Sequence, residues 1–238
     1  MPPVSDFFLY PDEREAGLTA SVMEERFAGY VEHCRRLQSE YRDRMTIYVG
    51  METEAYTGSL EHAAALRDRF QLDYIVGSVH HVWDIPIDWS ASEYARAAEY
   101  AGSIEDLYAD YFDLQYDMLL TLRPSVAGHM DLIRIYDPDY TKRLRLPKIR
   151  RRILRNLQTM QRQQTILEVN VRALAKGATE PYVSREILEM ARDLAVSVAP
   201  GDDSHGVDTV GRFLEEGMGR IQSLGFSTNW PRPSIRRR

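Results

Sequence analysis

Hydrophobic and polar positions along the chain switch between a helical period and short apolar runs. Phe27, Val31, Cys34, Leu37 and Tyr41 recur at helical spacing behind Ser21-Val22-Met23-Glu24, a capping box. Thr46-Ile47-Tyr48-Val49 then predicts a short strand running into Gly50-Met51-Glu52. A helix follows near His62 to Phe70, and a buried strand from Tyr74 to Val79 ends at His80. After a loop through Pro86 and Asp88, Ser103-Ile104-Glu105-Asp106 starts a helix carrying Leu107, Tyr111, Leu114 and Met118. Ser125-Val126-Ala127-Gly128 runs as a strand into His129-Met130-Asp131. A basic helix near Lys148 to Arg162 leads to the strand Thr165-Ile166-Leu167, which ends in Glu168-Val169-Asn170. Ser184 caps a helix with Ile187, Ala191 and Leu194. Val196 and Val198 mark the next strand, ending in Gly201-Asp202-Asp203-Ser204-His205, and a last helix carries Val210, Leu214, Met218 and Ile221.

Strands alternating with helices long enough to cross over predict an α/β fold with a parallel sheet. No low-complexity linker divides the chain, so residues 1–238 read as a single domain with a basic C-terminal tail at 230–238.

The polar residues fall at the strand ends. Glu52, His80, His129, Glu168 and the Asp203/His205 pair each close a strand, and parallel strands of a barrel put those ends on one face. Carboxylates and imidazoles converging without thiolates suit zinc, manganese or iron. A lone histidine at a strand end is more often a core residue, but the same ligand chemistry at successive strand ends favours a metal site. Glu54 falls on the same side as Glu52 and is a weaker candidate ligand. His81 points away from His80 if the strand persists, which suits a contact that supports a metal ligand or a contact to substrate. Glu168 and Asn170 are candidates for substrate as well as metal, Asp131 for orienting His129 or a loop. His33 and His62 lie on helices and read as surface residues.

Composition narrows the partners. A net charge of −6 argues against a nucleic-acid or membrane-surface binder. The run Lys142, Arg143, Arg145, Lys148, Arg150, Arg151, Arg152 and Arg155 holds no acid, yet Ile149, Ile153 and Leu157 recur every four residues. That pattern reads as an amphipathic helix with a solvated basic face. Arg134, close to His129, is a candidate to fork onto a phosphate oxygen. The single cysteine, Cys34, suits a reducing compartment. No apolar run nears the ~18 residues of a membrane span, and no secretory signal opens the chain, so a cytoplasmic location is expected.

The blocks GMETE, GSVHHVWDIPID, GHMDLIRIYDP, LEVN and GDDSHG, in that order, resemble the histidinol-phosphatases of the PHP (polymerase and histidinol phosphatase) family. The resemblance runs from about Leu9 to Leu224. It implies a distorted (β/α)7 TIM-like barrel with up to three divalent metal ions, hydrolysing L-histidinol phosphate in histidine biosynthesis. By position it implies Glu52 as a carboxylate bridging two metals, His80 and His129 on one metal, and Asp203 and His205 on the others. Asp203 and Arg134 would be catalytic, with Arg134 on the phosphate oxygens. The small-molecule phosphate ester would also meet His81, Glu168 and Asn170. The family's opening strand with an H-x-H motif, and the next strand with a further histidine, have no counterpart in these residues. A barrel lacking its first two strands is therefore expected. That departure leaves open a catalytically impaired protein, or one acting on another substrate.

Overall fold

The computed structural model describes residues 1–235, so positions 236–238 of the basic tail lie outside the described residues. Helices α1 (Pro11–Glu15) and α2 (Ala20–Glu40) precede β1 (Gly50–Glu52), α3 (Ser59–Arg69) and β2 (Tyr74–Gly77). Two very short strands, β3 (His81–Val82) and β4 (Ile85–Pro86), make an antiparallel hairpin. There follow α4 (Ala91–Ala101), α5 (Ile104–Leu122), β5 (Val126–Ala127), α6 (Tyr140–Leu144), α7 (Pro147–Gln163) and β6 (Ile166–Asn170). The described chain closes with α8 (Arg172–Ala175), α9 (Arg185–Asp193), β7 (Val198–Gly201) and α10 (Leu214–Ser223).

The main sheet has five strands in the order β1-β2-β5-β6-β7, every pair parallel. All five C-terminal ends therefore lie on one side, which is what positions the site. The sheet is open among the described residues, with β1 and β7 at its edges. It is not a closed barrel.

Side chains set several boundaries differently from the sequence pattern. The expected strand at 46–49 is not one: the Val49 N–H donates to Asp73 Oδ2 at 2.7 Å and its carbonyl accepts from Asp73 N at 2.7 Å. A carboxylate thus takes the place of a ladder partner, and β1 starts only at Gly50. Asp73 also receives Arg35 Nη1 at 2.7 Å, tying α2 to the start of the sheet. β2 ends at Gly77 because Thr53 Oγ1 accepts from Ser78 N at 2.9 Å and donates to Ser78 O at 3.0 Å. Helix α2 is capped by Thr19, whose Oγ1 accepts from Val22 N, rather than by Ser21. Helix α4, which the sequence pattern does not announce, is capped by Ser90 accepting from Glu93 N.

Helix α5 is the centre of the core: Leu107, Tyr108, Tyr111, Phe112, Met118 and Leu119 are fully buried. Each such side chain contributes about 1.5–3 kcal/mol relative to exposure. Its outer acids answer the cations of α7. Arg152 and Arg155 both pair with Asp113, Lys148 pairs with Asp106, and Arg155 stacks 4.0 Å over Tyr116. The basic face of α7 is therefore partly neutralised by α5, while Arg150 and Arg151 remain exposed.

Candidate metal centre

Three adjacent strands deliver the centre. Glu52 is the last residue of β1, His80 follows β2 and His129 follows β5, in the neighbouring order of the sheet. His129 Nε2 lies 2.8 Å and His80 Nε2 3.2 Å from the same Glu52 Oε1. One ligand atom from each lies within 4.8 Å of the others. Two imidazoles and a carboxylate are a donor set that fits zinc, manganese or iron.

Hydrogen bonds link the three side chains, and each shifts the proton affinity of the others. Burial pushes Glu52 up, but hydrogen bonds from His129 and His80 outweigh it and hold the carboxyl well below its usual range. Burial pushes His80 down, yet the charges of Glu54 and Asp88 and the bonds to Asp88 and Glu52 raise it well above an ordinary histidine. His129 is raised too, its burial opposed chiefly by Glu52.

The surroundings fix these rings. Asp88, just beyond β4, accepts from His80 Nδ1 at 2.9 Å, so the hairpin carries the carboxylate back to the ring. His129 sits at φ 21° and Asp203 at φ 49°, left-handed backbone that non-glycine residues rarely adopt and that clusters at functional sites. The His129 N–H donates to Glu168 Oε2 at 3.2 Å. Asn170 Nδ2 donates to Glu168 Oε2 at 3.2 Å and to Asp203 Oδ2 at 3.3 Å. Burial pushes Glu168 up to about 7, against the lowering influence of His129. A Cβ on Gly201 would overlap Glu168 Oε1, so glycine on β7 makes room for that carboxyl.

Of the five expected ligands, Glu52, His80 and His129 converge closely. Asp203 adjoins them through Asn170 and Glu168. His205 stands at the rim, its side chain 62% exposed and its Nδ1 2.8 Å from the Asp203 carbonyl oxygen. His81 packs against Tyr10 and Tyr56 and lies 3.7 Å from Glu54, which itself accepts from the Tyr10 hydroxyl at 3.0 Å. Burial pushes the His81 imidazole down, against the raising influence of Glu54.

Arg134 departs from its expected place. It is only 7% exposed, pairs with Asp131 through Nε, and donates through Nη2 to the carbonyls of Glu180 and Pro181. Its guanidinium also lies over the rings of Tyr140 and Tyr182. A fork so committed braces the 180–184 loop in this structure instead of standing open to a phosphate. Asp131 serves the same loop, accepting from Ser184 N at 2.8 Å. His62 is half-buried with Nε2 enclosed, whereas His33 is exposed as expected.

Sequence reasoning missed Asp88, although it ends the stretch WDIPID, and missed Tyr182, whose ring meets His129 at 6.4 Å.

Comparisons with known proteins agree with this layout. The PHP domain model matches residues 14–172. A protein named "Probable histidinol-phosphatase" in Schizosaccharomyces pombe is 36% identical over 224 residues, covering 92% of this chain and 72% of that one. The histidinol-phosphatase of Saccharomyces cerevisiae is 28% identical over 245 residues, covering 89% and 73%. In fold, the chain matches a Lactococcus lactis histidinol phosphate phosphatase solved with zinc, L-histidinol and phosphate. That match has a TM-score of 0.63 at 20% identity, covering 84% of this chain and 75% of that one. With the family model spanning most of its length and the acidic and imidazole ligands at the ends of parallel strands, the chain belongs to the PHP domain family.

Proposed function

We propose that the chain is a metal-dependent phosphomonoesterase that hydrolyses L-histidinol phosphate to L-histidinol and phosphate, acting in the cytoplasm. The observation that carries this reading is Glu52 held between His80 and His129 at the ends of adjacent parallel strands. The identity to yeast proteins of that name supports the substrate.

Glu52, His80 and His129 are the residues that would hold one ion, and Asp203 and His205 those that would hold others, up to three. Divalent ions in such a site neutralise phosphate charge and make water acidic enough to ionise near neutral pH. The chain's own residues do the positioning. Asp88 holds His80 Nδ1 so that Nε2 faces Glu52. Glu168 holds the strained His129 backbone, and Asn170 joins Glu168 to Asp203. Asn170, Glu168 and the nearby His81 are the groups we assign to the substrate. In the reaction one water is consumed: its oxygen bonds to phosphorus, the ester P–O bond breaks, and a proton goes to the leaving alkoxide.

The test is phosphate release by chelator-treated chain restored with zinc, manganese or iron, using L-histidinol phosphate and a generic aryl phosphate. Metal-dependent turnover favouring L-histidinol phosphate is expected, with Glu52→Gln inactive. Activity that survives chelation would overturn the metal reading. Faster turnover of another ester would move the substrate assignment alone.

A further inference from the structure

A cavity of about 440 Å3 opens where the β3–β4 hairpin meets α3, α4 and α5. Neither Glu52, His80 nor His129 lines it. Val82 does, while its neighbour His81 contacts Tyr10 and Glu54, so adjacent hairpin residues serve two different places.

The walls combine rings with carboxylates. Trp83 and Tyr100 meet at 5.5 Å between centroids and 48° between planes, forming a corner rather than a stack. They are 54% and 68% exposed, large ring surfaces that nothing in the described chain covers. The indole is fixed in place, since Trp83 Nε1 donates to Asp110 Oδ2 at 2.8 Å. Asp84, Asp110, Asp113 and Asp117 also line the cavity, and among the described residues no lysine, arginine or histidine does. Asp113 has its charge answered by Arg152 and Arg155. Among the described residues, Asp84 and Asp110 accept only from neutral donors, the Thr57 backbone N–H and hydroxyl in one case and the Trp83 indole in the other. Asp117 makes no hydrogen bond or ion pair among the described residues. The volume is that of a small-ligand pocket. Aromatic faces next to uncompensated carboxylates attract an organic cation and repel an anion.

We propose that this cavity is a second ligand site, for a small organic cation that carries no anionic group. Its charge faces Asp110 and Asp117, and its body lies against Trp83 and Tyr100. Naming the ligand rests on the functional reading above. The dephosphorylated product, an ammonium-bearing amino alcohol, meets these terms, and the phosphate-bearing substrate does not. The cavity would then sense product without competing for the metal centre.

The experiment is calorimetric titration of the chelator-treated full chain with L-histidinol and, separately, with L-histidinol phosphate. Wild type is compared with Tyr100→Ala and Asp117→Asn, both at exposed positions outside the metal centre, with thermal melts to show that each is folded. L-histidinol should bind, and each substitution should weaken it by about 2- to 5-fold, the usual range for an exposed cation–ring or charge contact. L-histidinol phosphate should bind the cavity at least ~10-fold more weakly, because its ammonium comes with a dianionic phosphate group that the carboxylates repel. No binding, binding unchanged in both variants, or equal binding of the phosphate ester would overturn the proposal. The phosphate-release assay on metal-restored chain is read separately. Binding that depends on Tyr100 and Asp117 without hydrolysis would sustain the cavity and sink the function, and hydrolysis without such binding would do the reverse.

Discussion

Asp88 offers the most direct test of how the centre is built, because its link to the candidate ligands runs through a single atom. Its Oδ2 accepts from His80 Nδ1 at 2.9 Å, and His80 presents Nε2 to Glu52. That bond fixes which nitrogen carries the proton, so the other is free to face a metal. Asp88→Ala leaves the imidazole able to change tautomer and to turn. Loss of such an orienting partner typically costs ~10–100-fold in metal affinity, or about 1.4–2.8 kcal/mol. The structure argues against a smaller effect: the two side chains are only 16% and 21% exposed, so solvent does not screen the pair as it does a surface bridge. It argues against a larger one too, since Glu52 and His129 keep their own contact at 2.8 Å.

Asp88→Asn serves as the graded control. It retains an oxygen acceptor in nearly the same place and removes the charge, so its loss should fall between wild type and Asp88→Ala. Zinc titration of chelator-treated protein at near-neutral pH, alongside thermal melts, measures both. If Asp88→Ala bound zinc as tightly as wild type, His80 would not depend on Asp88, and the hairpin would have no part in building the centre.

The remaining predictions concern the frame. Arg134→Ala should cost about 3–5 kcal/mol of stability in denaturant melts, because it strands the buried Asp131 carboxylate and releases two carbonyls; wild-type stability with impaired catalysis would return Arg134 to the phosphate. Gly201→Ala should cost about 1–3 kcal/mol by driving a methyl into Glu168, whereas Gly219→Ala, with nothing near its Cβ, should cost nothing; equal melts for the two would refute the close approach. Burial raises Asp73, but Arg35 and the Val49 N–H reverse this and leave its pKa below the ordinary 3.8. A depressed carboxyl contributes stability that is present above 3.8 and is lost as pH falls through the lower folded value. Asp73→Asn should therefore flatten the acid limb of the stability curve below about pH 4, and an unchanged limb would show that the α2 clamp is not coupled to that carboxylate.

The parts of the site legible in the sequence are those that depend on one strand at a time. Glu52, His80 and His129 each stand just past an apolar run, and parallel pairing alone puts them on the same side. Asp88 was not legible in this way, because strands of two residues, His81–Val82 and Ile85–Pro86, are too short to show any period. Its position depends on a hairpin whose turn residues, Trp83 and Asp84, sit at φ 54° and 61° without the glycine or asparagine that would announce such a turn. Arg134 is the opposite case: nearness to His129 in sequence suggests a shared face, whereas the 3-10 turn Leu132–Arg134 directs the guanidinium toward residues 180 and 181. The basic stripe of α7 shows the same limit, since its period revealed a polar face but not that Asp106 and Asp113 of α5 lie against it. Local period reports which face of an element is polar. What that face meets is decided by elements some forty residues away, and it is there, at Asp113 and at the 180–184 loop, that the chain's cations find their partners.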